Sequence, residues 1–206
     1  MQKRNNNNWF ANNYDRLMRP LEKNSFIHIR SNLINQATGT VLEIGCGTGI
    51  NFQFYQNVEV TAIEPNEAMR SIAFVRALSA HASIHVIEGS AEILPFKDNS
   101  FDTVVGTLVF CTIPDPIRAI REVVRVCKPG GKILLFEHIR HDQRMLAILQ
   151  DLLTPVWKRL CDGCHLNRNT VEWLMKENID IIHTKTHIKK LFITIEARNS
   201  SRNSSL

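Results

Sequence analysis

A short apolar run that empties into a glycine at every second position constrains this chain more than any other feature. Val41-Leu42-Glu43-Ile44 reads as a buried strand, and Gly45-Cys46-Gly47-Thr48-Gly49 follows it at once. Glycine reaches positive φ without steric cost and has no Cβ to hold a ligand off the backbone. A strand ending in such a turn predicts an α/β sheet whose ligand settles in the crevice beyond the strand's carboxyl end. The spacing is G-x-G-x-G and not the G-x-G-x-x-G of dinucleotide folds, which disfavours an NAD-linked oxidoreductase.

Length and composition narrow the setting. At 206 residues, 44% hydrophobic and 22% charged, the chain suits one soluble α/β domain that needs no covalent staples. No apolar run reaches membrane-spanning length. The start, Met1-Gln2-Lys3-Arg4 and four asparagines, has no apolar leader, and five cysteines in apolar or glycine-rich contexts suit a reducing compartment. A cytoplasmic protein is expected. The net charge of +5 comes without a dense basic tract, so nucleic acid is not an expected partner and Lys185, Lys189 and Lys190 read as a solvated edge.

Residues 1–8 are polar and of low complexity, so disorder is expected there, and again over 198–206. Helical spacing of Phe10, Tyr14, Leu17 and Met18 is interrupted at Pro20, and a second helix runs on to about Thr38-Gly39. Strands are predicted at Val41–Ile44, Glu59–Ile63, Ile84–Ile87, Phe101–Val105, Ile133–Glu137, Ile179–Thr184 and Leu191–Ala197. Glu64 stands at the end of the second strand, 19 residues past Gly45, where a carboxylate can accept hydrogen bonds from both ribose hydroxyls. Pro65-Asn66 then opens a helix with Asn66 as its cap. Residues 145–160 form one helix, or two around Pro155, apolar over more than a narrow stripe. That surface needs a cover, with the domain's own lid favoured over a second copy or a lipid surface.

Glu43 to Gly49 resembles motif I of the class I S-adenosylmethionine-dependent methyltransferases of small molecules, and the resemblance runs from about residue 9 to 197. It implies a Rossmann-like, doubly wound α/β fold: a seven-stranded, mostly parallel sheet with an antiparallel last strand and helices on both faces. S-adenosylmethionine carries an ammonium and a sulfonium and no pyrophosphate, which suits the acid Glu43 beside the loop. The family's pattern implies cofactor contacts from Tyr14, Glu43, Gly45, Cys46, Gly47, Gly49, Glu64 and Pro65. It adds Ser90 and Ala91 at the adenine, with Ser90 where Asp is common, and Thr107 and Leu108 beside the reacting methyl. Residues 9–38 would be a helical lid, with Tyr14-Asp15 near the methionine end, and 140–165 a helical insertion.

Trp157, Asp162-Gly163-Cys164-His165-Leu166, Arg168, Glu137-His138 and Thr107-Leu108-Val109 are similar to the thiol methyltransferase-like branch, and the chain also resembles phospholipid amine methyltransferases. A small, hydrophobic acceptor is implied, with a thiol favoured over an amine or oxygen, and transfer by direct displacement. His138 is the candidate base, ahead of His141 and His165. A non-catalytic adenosylmethionine-binding protein is the alternative, motivated by Ser90 and the lack of a compelling base. Cys161-Asp162-Gly163-Cys164-His165 has the C-x-x-C-H spacing of haem attachment. Without a leader or further placed ligands it reads as two cysteines beside the cavity, and no metal is expected.

Overall fold

The computed structural model describes residues 8–200. The disorder expected for 1–7 and 201–206 lies outside those residues. The sheet has seven strands: β1 (Thr40–Ile44), β2 (Glu59–Ile63), β3 (Ser83–Ile87), β4 (Phe101–Thr107), β5 (Cys127–His138), β6 (Ile179–His187) and β7 (Phe192–Asn199). Their order is β3-β2-β1-β4-β5-β7-β6, parallel from β3 to β5, with β7 antiparallel to both neighbours. The chain reverses its direction of travel across the sheet between β1 and β4, and the crevice at that switch is where such sheets hold ligands.

Alternation along the strands builds two cores. Leu42, Ile44, Val104, Ile133 and Leu135 face α4 (Pro116–Val126) and α6 (Thr170–Leu174). Val41, Val60, Val105, Leu134 and Phe136 face α2 (Ile27–Ile34) and α3 (Glu67–Ala77). Helices therefore cover both faces, as expected. The cap predicted at Asn66 accepts from the amides of Ala68 and Met69, and Asp115 caps α4 with Pro116 in its first turn.

Several local expectations change. Pro20 does not break the first helix: α1 (Asn8–Leu21) passes through it into a wide turn at Glu22–Phe26 and on into α2. Asn8, the last residue of the segment expected to be disordered, is the first of α1. At the other end β7 reaches Asn199, which is buried and donates to the carbonyls of Val124 and Cys127, so the ordered chain runs past residue 197. β5 and β6 are longer than their apolar cores because ladder pairing continues through polar positions. The segment from 145 to 160 is a single helix, α5 (Arg144–Leu160), which contains Pro155. It is not covered. Among the described residues none of α5 belongs to either core, and Met145, Leu152 and Leu160 are 79%, 71% and 60% exposed. No helix among the described residues is long and apolar enough to cross a membrane.

Candidate active site

A cavity of about 640 Å³ opens above the carboxyl ends of β1, β2 and β4. Its floor at one end is the glycine loop. Gly45 has positive φ and no room for a side chain, since a Cβ there would run into Val109. Gly47 also has positive φ, but its nearest neighbour on the Cβ side is the Met69 sulfur at 3.9 Å, so bare backbone faces the space a ligand would take. Gly49 serves a different purpose from the expected one. It stands outside the cavity wall and makes room for Phe52.

Glu64 lines the cavity and is 6% exposed. Its two oxygens accept from the amides of Gly47 (3.0 Å) and Asn66 (2.8 Å), so the loop and the start of α3 together fix the carboxylate. Pro65, Cys46, Ser90 and Ala91 adjoin it on the wall. The Ser90 hydroxyl accepts from the amide of Glu92. Tyr14 closes the cavity from above, and burial pushes its phenol up to about 12. Its neighbour Asp15 latches α1 to the glycine loop and α3: it accepts from the Thr48 hydroxyl (2.8 Å) and pairs with Arg76 of α3.

Glu43 departs from the expected contact with the cofactor. It is 1% exposed, lies behind the loop and does not line the cavity. Its oxygens accept from Asn51 (2.7 Å) and Tyr55 (2.9 Å). Burial raises its carboxyl to about 7 against those two hydrogen bonds and the field of Arg30. The physical reason is strand parity: Glu43 shares its face with Val41, which packs in the α2 and α3 core.

Arg30 was not singled out in the sequence. This guanidinium is 2% exposed and lines the cavity; it pairs with Glu22 (3.0 Å) and donates to Asn51 (2.9 Å) and Thr107 (2.8 Å). The Phe136 ring lies 5.6 Å beneath it. Thr107 accepts from Asn51 as well, so a continuous network joins Glu43, Asn51, Thr107, Arg30 and Glu22 under the cavity floor. Nothing local in the sequence links those positions. Leu108, next to Thr107, takes positive φ, a costly backbone for a bulky residue.

The far end of the cavity gathers Cys111, His138 and Cys164. His138, at the end of β5, has its Nε2 3.2 Å from the Cys164 sulfur, while its Nδ1 has no hydrogen-bond partner. Burial pulls the imidazole down, yet Cys164 and Glu137 outweigh it and the net shift is upward. Cys164 is driven down by the thiol hydrogen bond from Cys111, then by His138 and Trp157, and Cys111 is driven up in return. Glu137 accepts from the amides of Val109 and Phe110 and so shapes the β4 exit loop that carries Cys111. Arg168 does the same from the other side, donating to the carbonyls of Phe110 and Ile113. His141 and His165 sit outside the cavity wall; His165 binds the Cys111 carbonyl and His141 that of Lys189.

Residues 42–135, from β1 to β5, match a family model described as a methyltransferase domain. The chain is 33% identical over 172 residues to the human thiol S-methyltransferase TMT1B, covering 80% of this chain and 68% of that protein. The chain belongs to the S-adenosylmethionine-dependent methyltransferase family. The chain is also 41% identical over 138 residues to the thiol S-methyltransferase TMT1B of Rattus norvegicus, covering 64% of this chain. That match spans 56% of the rat protein, so the chain covers little more than half of its length. A solved structure of a SAM-dependent methyltransferase from Methanosarcina mazei superposes with a TM-score of 0.65 at 24% identity, covering 85% of this chain and 97% of the other. The fold and the family thus agree with S-adenosylmethionine as the expected cofactor.

Proposed function

We propose that this methyltransferase moves a methyl group from S-adenosylmethionine to the sulfur of a small, hydrophobic thiol. The observation that carries the reading is one continuous cavity with the bare Gly45–Thr48 backbone and Glu64 at one end and Cys111, His138 and Cys164 at the other. When bound, S-adenosylmethionine supplies an electrophilic methyl on a sulfonium. Gly45, Cys46 and Gly47 allow its close approach, Glu64 and Pro65 take the ribose side, and Ser90 and Ala91 take the adenine. Tyr14, Thr107 and Leu108 border the methionine end. The chain's own part in the chemistry is alignment of nucleophile and methyl and exclusion of water, which can supply much of such a barrier. His138, on the cavity wall, is the base this reading assigns. Similarity to proteins named thiol S-methyltransferases supports sulfur as the acceptor atom.

Titration with S-adenosylmethionine and release of S-adenosylhomocysteine across thiol, amine and phenol panels test this reading. Turnover with thiols is expected. Saturable binding without turnover on any panel would support the non-catalytic alternative instead. Removing a buried charged hydrogen-bond acceptor costs about 1.5–3 kcal/mol, so Glu64→Gln should weaken cofactor binding roughly 10- to 100-fold; an unchanged Kd would strip Glu64 of its role.

A second reading has its own support. The exposed apolar residues of α5 continue into the cavity rim through Trp157 and Leu160, and Trp9 and Leu17 of α1 stand on the same rim. Basic Arg144, Lys158 and Arg159 flank α5 at its two ends. That combination suits peripheral contact with an anionic lipid surface, from which an apolar or phospholipid acceptor would enter. The free cysteines favour a reducing compartment, and the cytoplasm is the site we infer.

A further inference from the structure

We propose that Cys111, His138 and Cys164 form a three-ligand site for a thiophilic divalent metal, zinc foremost, with its fourth position open to the cavity for the acceptor's sulfur. The two sulfurs and an imidazole nitrogen all lie within 4.8 Å of one another, and His138 Nε2 is 3.2 Å from Cys164 Sγ. Zinc–sulfur and zinc–nitrogen bonds of about 2.3 and 2.0 Å set ligand atoms of a tetrahedral site about 3.5–3.8 Å apart, so the cluster is already at the scale of a coordination sphere. Two thiolates with one imidazole are soft and borderline donors that select zinc over calcium or magnesium. Three protein ligands with a cavity on the fourth side is the arrangement of a reactive site and not of a structural one.

The ligands come from three separate elements, so the C-x-x-C-H spacing does not describe the site. Cys161 and His165 of that run are not in the cluster; Cys111 follows β4 and His138 ends β5. Each is held from outside. Glu137 and Arg168 pin the loop that carries Cys111, the backbone amide of His165 donates to the Cys111 carbonyl at 2.9 Å, and the β5–β7 ladder includes His138. His138 is 9% exposed with Nδ1 unpartnered, so its buried ring has so far found only the Cys164 sulfur. Arg168 is a cation whose field opposes a metal there, and the two thiolates, which lose their protons to solvent as the metal binds, offset it.

The role assigned to the metal rests on the thiol reading above. An acceptor RSH would give its proton to solvent at the cavity mouth as its sulfur takes the open position, since a metal-bound thiol is deprotonated. A sulfur lone pair then forms the bond to the methyl carbon, the methyl–sulfonium bond breaks, and its electron pair neutralises the departing sulfur. His138 is then a ligand and no longer the base.

The test uses the full chain, purified under reducing conditions and dialysed against zinc, with metal measured by mass spectrometry. About one zinc per chain is expected, with loss of most of it in C111S, H138A and C164S and retention in C161S. Cobalt(II) in place of zinc should show a thiolate charge-transfer band that C111S and C164S weaken. Retained S-adenosylmethionine binding in each variant excludes simple misfolding. A reduced chain that takes up no zinc, or C161S losing metal while C111S keeps it, overturns the site. Chelator-stripped protein that methylates thiols at an undiminished rate overturns the metal's role and leaves the proposed function standing. One zinc bound with no thiol ever methylated has the reverse result.

Discussion

Arg30 is the residue on which the floor of the site rests. A buried cation is tolerable only while its partners remain, and here they are Glu22, Asn51, Thr107 and the Phe136 ring. Arg30→Met would strand Glu22 and leave two polar partners short of a donor. Breaking a buried pair in this way costs about 3–5 kcal/mol, and urea denaturation should register a loss of that size. Glu43 gives a different signature. Burial raises it to about 7 from 4.5, so between those values the folded protein keeps a proton that the unfolded chain has shed. Its contribution to stability is therefore greatest at low pH, falls as pH rises through that window and levels off above about 7. One proton corresponds to about 1.4 kcal/mol per pH unit at most. Denaturation midpoints at pH 5 and pH 7.5 should differ less in Glu43→Gln than in the parent; equal differences would mean that another group titrates.

At the scale of elements, α1 is a cover held by few bonds. Its grip on the glycine loop and α3 runs through Asp15 to Thr48 and Arg76, a pair about one-third exposed on either side. Ion pairs of that exposure contribute about 1 kcal/mol or less. Asp15→Ala should thus raise the Kd for S-adenosylmethionine roughly two- to five-fold and speed amide exchange across residues 9–21, with the melting temperature of the sheet core little changed. If exchange over α1 stays as slow as in the parent, the latch lies elsewhere. The join between α1 and α2 shows the limit of reading Pro20 as a break: a proline lacks its amide, yet α1 continues through it and a wide turn at Glu22–Phe26 leads into α2.

For the whole molecule, the feature without a counterpart in a minimal doubly wound sheet is the open apolar face of α5 beside the cavity mouth. A lipid surface would cover it and deliver an apolar acceptor along the same side. Leu149→Glu with Leu152→Glu, both on exposed positions, should cut cosedimentation with anionic phospholipid vesicles by ten-fold or more while leaving turnover of a water-soluble thiol near the parent value. Vesicle binding that survives both changes would assign the face to another cover.

What the sequence determined by itself is whatever a few adjacent residues can enforce. Alternating apolar strands, the glycine loop, Glu64 at the end of β2 and the cap at Asn66 are all set by backbone sterics and short-range hydrogen bonding, and all stand where the chain alone puts them. The tertiary structure decided what depends on distant partners. Strand parity turned Glu43 away from the cavity, folding brought Arg30 to Asn51 and Thr107, and the ends of β4 and β5 carried Cys111 and His138 to Cys164. The cover of α5 belongs to the same class, because an apolar stripe specifies burial and leaves its partner to the geometry around it. Short-range rules see neighbours in the chain, and this site is made of neighbours in space.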